Sequence, residues 1–83
     1  MALEQDFAAA KEKINSLPAQ DNENLLKMYS LYKQATVGDA SGKKPGLFDL
    51  VGKAKFDAWE SLKGMSKETA MQNYINLVNE LAK

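Results

Sequence analysis

Between Tyr29 and Lys33 the stretch "MYSLYKQATVGD" places two phenols and an ammonium, Tyr29, Tyr32 and Lys33, on a segment that otherwise reads as apolar helix ended by Gly38. Two further polar tips share that setting. Lys55 falls inside an apolar stripe of Val51, Ala54, Ala58, Trp59 and Leu62, and Tyr74 sits among Met71, Ile75, Val78, Leu81 and Ala82. Residues three and four apart lie on one helix face, so each tip is set against its own apolar surface. Each has a plain packing reading: a lysine stem snorkels to water, and a core tyrosine satisfies its hydroxyl at the rim. The other reading is a ligand site. An ammonium held inward is costly unless a phosphate or carboxylate meets it. Aromatic faces suit a stacked purine, lysines suit phosphates, and the remaining apolar wall suits a hydrocarbon.

The missing residue types narrow the chemistry. With no Cys and no His, the chain builds no thiolate, no imidazole base and no ordinary zinc site, so neither an enzyme nor a metal or cofactor protein is expected. Eleven lysines balance eleven acidic residues, whereas nucleic-acid binding draws on a basic excess. There is no run of apolar residues long enough to span a bilayer, and "MALEQDFAAAKEK" does not read as a secretory signal. A cytoplasmic monomer without stable membrane insertion is the expectation.

Four periodic segments must position the polar tips. Leu3, Phe7, Ala10, Ile14 and Leu17 recur four and three apart and predict a first helix over Leu3 to Leu17, ended by Pro18. The second begins at the Asp21–Asn22 cap signal and runs to about Val37, where Gly38 supplies a stop. Its Leu25, Met28, Tyr29, Leu31, Tyr32 and Ala35 cover more than half the wheel, as in a helix covered on several sides. "GDASGKKPGLFD", with three Gly and one Pro, reads as a loop. A third helix is expected over Asp49 to Lys63 and a fourth from the Ser66 cap towards Leu81. The fold class is therefore all-α: a single domain over residues 1–83 and a four-helix bundle. The long connector between helices two and three favours an up-down-down-up order.

"YSLYKQATVGD" (Tyr29–Asp39) and "KAKFDAW" (Lys53–Trp59) resemble the signature segments of the acyl-CoA-binding protein family. "KPGLFD" (Lys44–Asp49) and "KGMSKETAMQNYI" (Lys63–Ile75) resemble its other recurrent stretches in the same order. The resemblance covers almost the whole chain. It implies a domain that binds one long-chain fatty acyl-CoA without chemistry and serves as an intracellular acyl-CoA carrier and pool former. It further implies that Tyr29, Tyr32 and Lys33 meet the adenine and 3′-phosphate, that Lys55 is a second phosphate contact, and that Tyr74 completes the head-group site. Leu25 and Met28 are the candidate acyl-chain contacts. Three positions depart from the family's pattern. Phe56 stands where many relatives have Trp. Asn15 stands where many have a lysine, leaving Lys11 or Lys13 as helix-one cations. The link "LPAQDNE" is short and lacks a second proline. A helical protein–protein interaction module receiving a partner in an apolar groove is the rival reading.

Overall fold

A computed structural model describes residues 2–82. The helices are α1 (Leu3–Lys13), α2 (Asn22–Thr36), α3 (Leu50–Glu60) and α4 (Lys67–Leu81), and no strand occurs among the described residues. Three of the four starts are closed by a side chain that takes up an orphan amide of the first turn. Asp21 Oδ1 accepts from Asn24 N at 2.9 Å, Asp49 Oδ1 from Gly52 N at 2.9 Å and Ser66 Oγ from Thr69 N at 3.1 Å. At the end of α2, Gly38 takes φ +100, a left-handed value that a Cβ would penalise, and its amide donates to Lys33 O.

Two helices end earlier than their periodicity implies. In α1 the α-helix stops at Lys13, and Ile14–Ser16 form a 3₁₀ turn in which Ser16 Oγ donates to Lys13 O. Leu17, which precedes Pro18, is already extended at φ −75, ψ 150, as the proline ring requires of its neighbour. In α3 regular geometry ends at Glu60. The next amides, Leu62 and Lys63, reach three residues back to Trp59 and Glu60, which tightens the last turn before Gly64 at φ +93.

The central core joins Phe7 and Ala10 of α1, Met28 and Ala35 of α2, and Ala70, Tyr74 and Val78 of α4. Ala70, Tyr74 and Val78 are spaced four apart, so α4 presents one fully buried stripe to both α1 and α2. The third helix contributes nothing to this cluster; Trp59 is its one buried residue. Of the stripe expected of α3, Val51 is exposed to solvent, as is its neighbour Leu50, while Ala54, Ala58 and Leu62 are half-buried.

Contacts along the helices set their directions. Phe7 meets Tyr74 and Lys13 meets Asn79, so α1 and α4 run parallel. Lys11 meets Tyr32 while Ile14 and Asn15 face Leu25, so α2 runs back along α1. Lys55 lies over Tyr29 and Trp59 bonds Gly38, so α3 runs parallel to α2. The order is up-down-down-up.

Two clasps fix the exit from α2. Trp59 Nε1 donates to Gly38 O at 2.7 Å. Asp39 Oδ1 accepts from buried Gln34 Nε2 and from Gly64 N, both at 2.9 Å, while Gln34 Nε2 also donates to Met65 O at 2.8 Å. The connector's first residues are thereby tied to the α3–α4 turn. Hydrogen bonds from Gly64 and Gln34 favour the ionised form and hold the Asp39 carboxyl below its ordinary value, with Lys63 adding to the effect. A lowered native pKa means stability present above the usual carboxylate range and lost as pH falls through the lowered value. Asp39→Ala should lower the thermal midpoint at neutral pH, and the gap to the parent chain should close in acid; a gap that persists at low pH contradicts the clasp.

Candidate functional site

The exposed flank of α2 carries two adjoining depressions. One, about 360 Å³, is lined by Lys11, Ile14 and Asn15 from the end of α1 and its 3₁₀ turn, by Leu25, Met28, Tyr29 and Tyr32 of α2, and by Tyr74 of α4. The other, about 430 Å³, lies between α2 and α3 and is lined by Asn22, Leu25, Leu26, Leu50, Val51, Ala54 and Lys55. Leu25, half exposed, belongs to both and forms the ridge where they meet. This geometry follows from the topology: α1 and α3 flank α2 on opposite sides and leave its Leu25–Tyr32 face open.

Aromatic packing sets the first depression's wall. The Phe7 ring stacks on Tyr32 at 5.9 Å between centroids and meets Tyr74 edge-on at 5.0 Å, while Tyr32 and Tyr74 lie 6.3 Å apart. These separations fall in the range of favourable aromatic pairs and hold Tyr32 and Tyr74 in place from three helices at once. Burial, with the nearby Tyr32 phenol adding to it, raises the Tyr74 phenol above its ordinary value and keeps it neutral.

Three lysines near this flank of α2 each lie over a ring. Lys11 Nζ lies 4.6 Å from the Tyr32 centroid and donates to Tyr32 Oη at 2.9 Å; Lys55 Nζ lies 5.3 Å from the Tyr29 centroid; Lys33 Nζ lies 4.9 Å from that of Trp59. The ion pairs Lys27–Glu23 at 3.6 Å and Lys44–Asp57 at 3.0 Å involve none of them. A cation over a ring at a solvent-accessible site gains about 0.5–1 kcal/mol. A charge-assisted hydrogen bond to an anion is worth roughly 1.5–3 kcal/mol, and an ammonium has three donors to give. Such a lysine is held in place yet still offers donors to a phosphate.

The structure brings Tyr29, Tyr32, Tyr74, Leu25 and Met28 to one depression, and places Lys55 in its neighbour with its ammonium above Tyr29. Lys33 lines neither; it sits one helical turn beyond Tyr29, against Trp59. Tyr74 is buried in the core as well as lining the depression, so the packing and the site readings both apply to it. Of the two helix-one cations, Lys11 faces the site, whereas Lys13 donates to Asn79 at 3.3 Å in the groove between α1 and α4. Leu26 and Leu50 are lining residues that the sequence reading missed. Leu26 adjoins Leu25, and one stripe per helix gives no signal that both neighbours face a cleft.

Fold and site together define a class: a small helical binding domain whose central helix offers an aromatic, lysine-bordered depression running into an apolar one. The profile of the family described as "Acyl CoA binding protein" matches residues 4–78. The chain is 49% identical over 82 residues to Acyl-CoA-binding domain-containing protein 1 of Oryza sativa subsp. japonica, covering 98% of this chain and 90% of that one. It is also 49% identical over 82 residues to Enoyl-CoA delta isomerase 2 of Rattus norvegicus, of whose length it spans 21%. The crystal structure of Oryza sativa Acyl-CoA-Binding Protein 2 superimposes with a TM-score of 0.92 at 44% identity, covering 96% of this chain and 90% of that one. The chain belongs to the acyl-CoA-binding protein family.

An alkaline absorbance titration should assign one tyrosine ionisation above the ordinary phenol range to Tyr74, and Tyr74→Phe should delete that step. If the step survives the substitution, the buried phenol lies elsewhere.

Proposed function

We propose that this chain binds a long-chain fatty acyl-CoA ester non-covalently and serves as a cytoplasmic carrier and pool former for it, as a monomer and without catalysing a reaction. Family membership supports the ligand class. The observation that carries the finer reading is the junction at Leu25, where an aromatic depression bordered by ammonium groups passes into an apolar one. A nucleotide thioester has the matching polarity, with a stackable base and phosphates at one end and a chain that water rejects at the other.

In this reading the adenine rests against Tyr29 and Tyr32, and Lys33 and Lys55 leave their rings to contact phosphates, Lys33 at the 3′-phosphate. Tyr74 closes the head-group seat from α4, and the acyl chain follows Leu25 and Met28. Lys11 supplies the α1 cation in place of the lysine that Asn15 replaces. Each buried methylene contributes about 0.8 kcal/mol, so a sixteen-carbon chain offers on the order of 10 kcal/mol before ordering costs. Rim lysines contribute less because solvent screens them. The tail therefore sets affinity and the head group sets identity.

Titration calorimetry with free, octanoyl- and palmitoyl-CoA should show affinity rising steeply with chain length, and equal affinities across the series would refute the tail-in-cleft reading. Lys55→Ala should weaken palmitoyl-CoA binding by roughly tenfold, the loss of one charge-assisted contact at the weak end of its range, with helicity unchanged. Normal binding by that variant would leave Lys55 a snorkelling side chain. Intact thioester after prolonged incubation with the protein checks the absence of catalysis.

A further inference from the structure

Two lysines and two rings face each other across the seam between α2 and α3. Tyr29 and Lys33 stand four apart on α2, Lys55 and Trp59 four apart on α3, and the two helices run parallel. The result is a reciprocal pair of rungs. Lys55 of α3 lies 5.3 Å from the Tyr29 centroid, and one turn on, Lys33 of α2 lies 4.9 Å from that of Trp59. Equal spacing on both helices puts the second rung about 6 Å of helix rise beyond the first.

The rungs differ in what their rings do. Tyr29 lines the aromatic depression, so Lys55 rests on the binding surface itself. Trp59 lines neither depression; it is the one buried residue of α3 and stands apart from the central core. Its indole is fixed on two sides. Nε1 donates to Gly38 O at 2.7 Å, and the Phe56 ring meets it edge-on at 6.0 Å between centroids. Lys33 therefore has a rigid platform outside the site, and no carboxylate pairs with it among the described residues.

An ammonium on such a platform is open to exchange, and the exchange has a direction. An indole face attracts a cation without the oxygen acceptors that three N–H donors seek, whereas a phosphate offers both charge and acceptors. A neutral hydroxyl at the same place has no charge with which to compete. We propose that Trp59 is the resting seat of Lys33 and a positioning residue for head-group discrimination: the indole holds the ammonium outside the depressions until a 3′-phosphate draws it across. This rests on the acyl-CoA reading, in which Lys33 meets that phosphate. The seat keeps an unpaired charge away from the apolar wall of the empty site. Leaving it lowers the affinity of a phosphorylated ligand by roughly two- to fivefold. It also couples the head group to the exit of α2, since the same indole holds Gly38.

Carbon–proton NMR of the full chain reads the seat, because protons above an indole face are shifted upfield by its ring current. One lysine ε-methylene signal so shifted should vanish in Lys33→Met, which assigns it. Saturating octanoyl-CoA should return that signal to the position of an unstacked lysine. The 3′-dephospho ester, at saturation confirmed by calorimetry, should leave it in place. Trp59→Leu should raise the ratio of octanoyl-CoA affinity to dephospho-ester affinity by roughly two- to fivefold, and the ratio cancels any damage that both esters share. A purely structural indole lowers both affinities and leaves the ratio alone, a result that overturns the proposal. The parent-chain spectra decide the matter if that variant does not fold. Where the esters bind, a signal that stays shifted with octanoyl-CoA, or moves equally with both, overturns the proposal and leaves the acyl-CoA reading intact. An unshifted Lys33 signal in the free chain overturns it as well. If calorimetry shows that neither ester binds, the acyl-CoA reading itself fails and the release of Lys33 fails with it.

Discussion

The site depends on how the chain leaves α2. Gly38 turns out of the helix through a left-handed residue, its carbonyl accepts from the Trp59 indole, and Asp39 is bound by Gln34 and by the Gly64 amide. These bonds join the end of α2, the end of α3 and the turn into α4. With that end tied, the connector returns along the bundle and α3 lies parallel to α2. This arrangement flanks the Leu25–Tyr32 face of α2 with side chains from both neighbours.

A second consequence concerns the division of labour among helices. The core is made by α1, α2 and α4, with the buried Ala70–Tyr74–Val78 stripe meeting two partners. The third helix packs along α2 with Trp59 as its one buried residue and places Leu50, Val51, Ala54 and Lys55 along a cleft. A helix that owes little to the core can present small and apolar side chains outward, because filling the interior is done elsewhere. Ala54 of α3 fits that role: it leaves space in the cleft where a leucine would pack the helix shut.

The lysines follow the same logic. Burying an ammonium is expensive, and pairing it with a carboxylate would satisfy it too well for an anionic ligand to compete. Resting Lys11, Lys33 and Lys55 on Tyr32, Trp59 and Tyr29 keeps each one located at modest gain and still able to donate.

Local chemistry is legible in order of residues. The Asp21 and Ser66 caps, the stop at Gly38, the periodic stripes of α1, α2 and α4 and the looped connector follow from backbone donors, glycine freedom and helical repeat, all of which act within a few positions. Those signals decided the fold class, and the quoted motifs pointed to the family. They also brought Tyr29, Tyr32, Tyr74 and Lys55 forward as polar tips on apolar faces. What they could not decide was partnership across the bundle. Lys11 and Lys13 project from nearly opposite sides of α1, and the packing of α2 and α4 on those sides gives one to Tyr32 and the other to Asn79. Lys33 rests on Trp59 because the connector makes α3 parallel to α2. Val51, read as part of an apolar stripe, is exposed because the first turn of α3 lies outside the central cluster, and Trp59 is that helix's one buried residue. Periodicity reports that a face is apolar; which neighbour covers it, or whether any does, is settled by contacts between residues far apart in the chain.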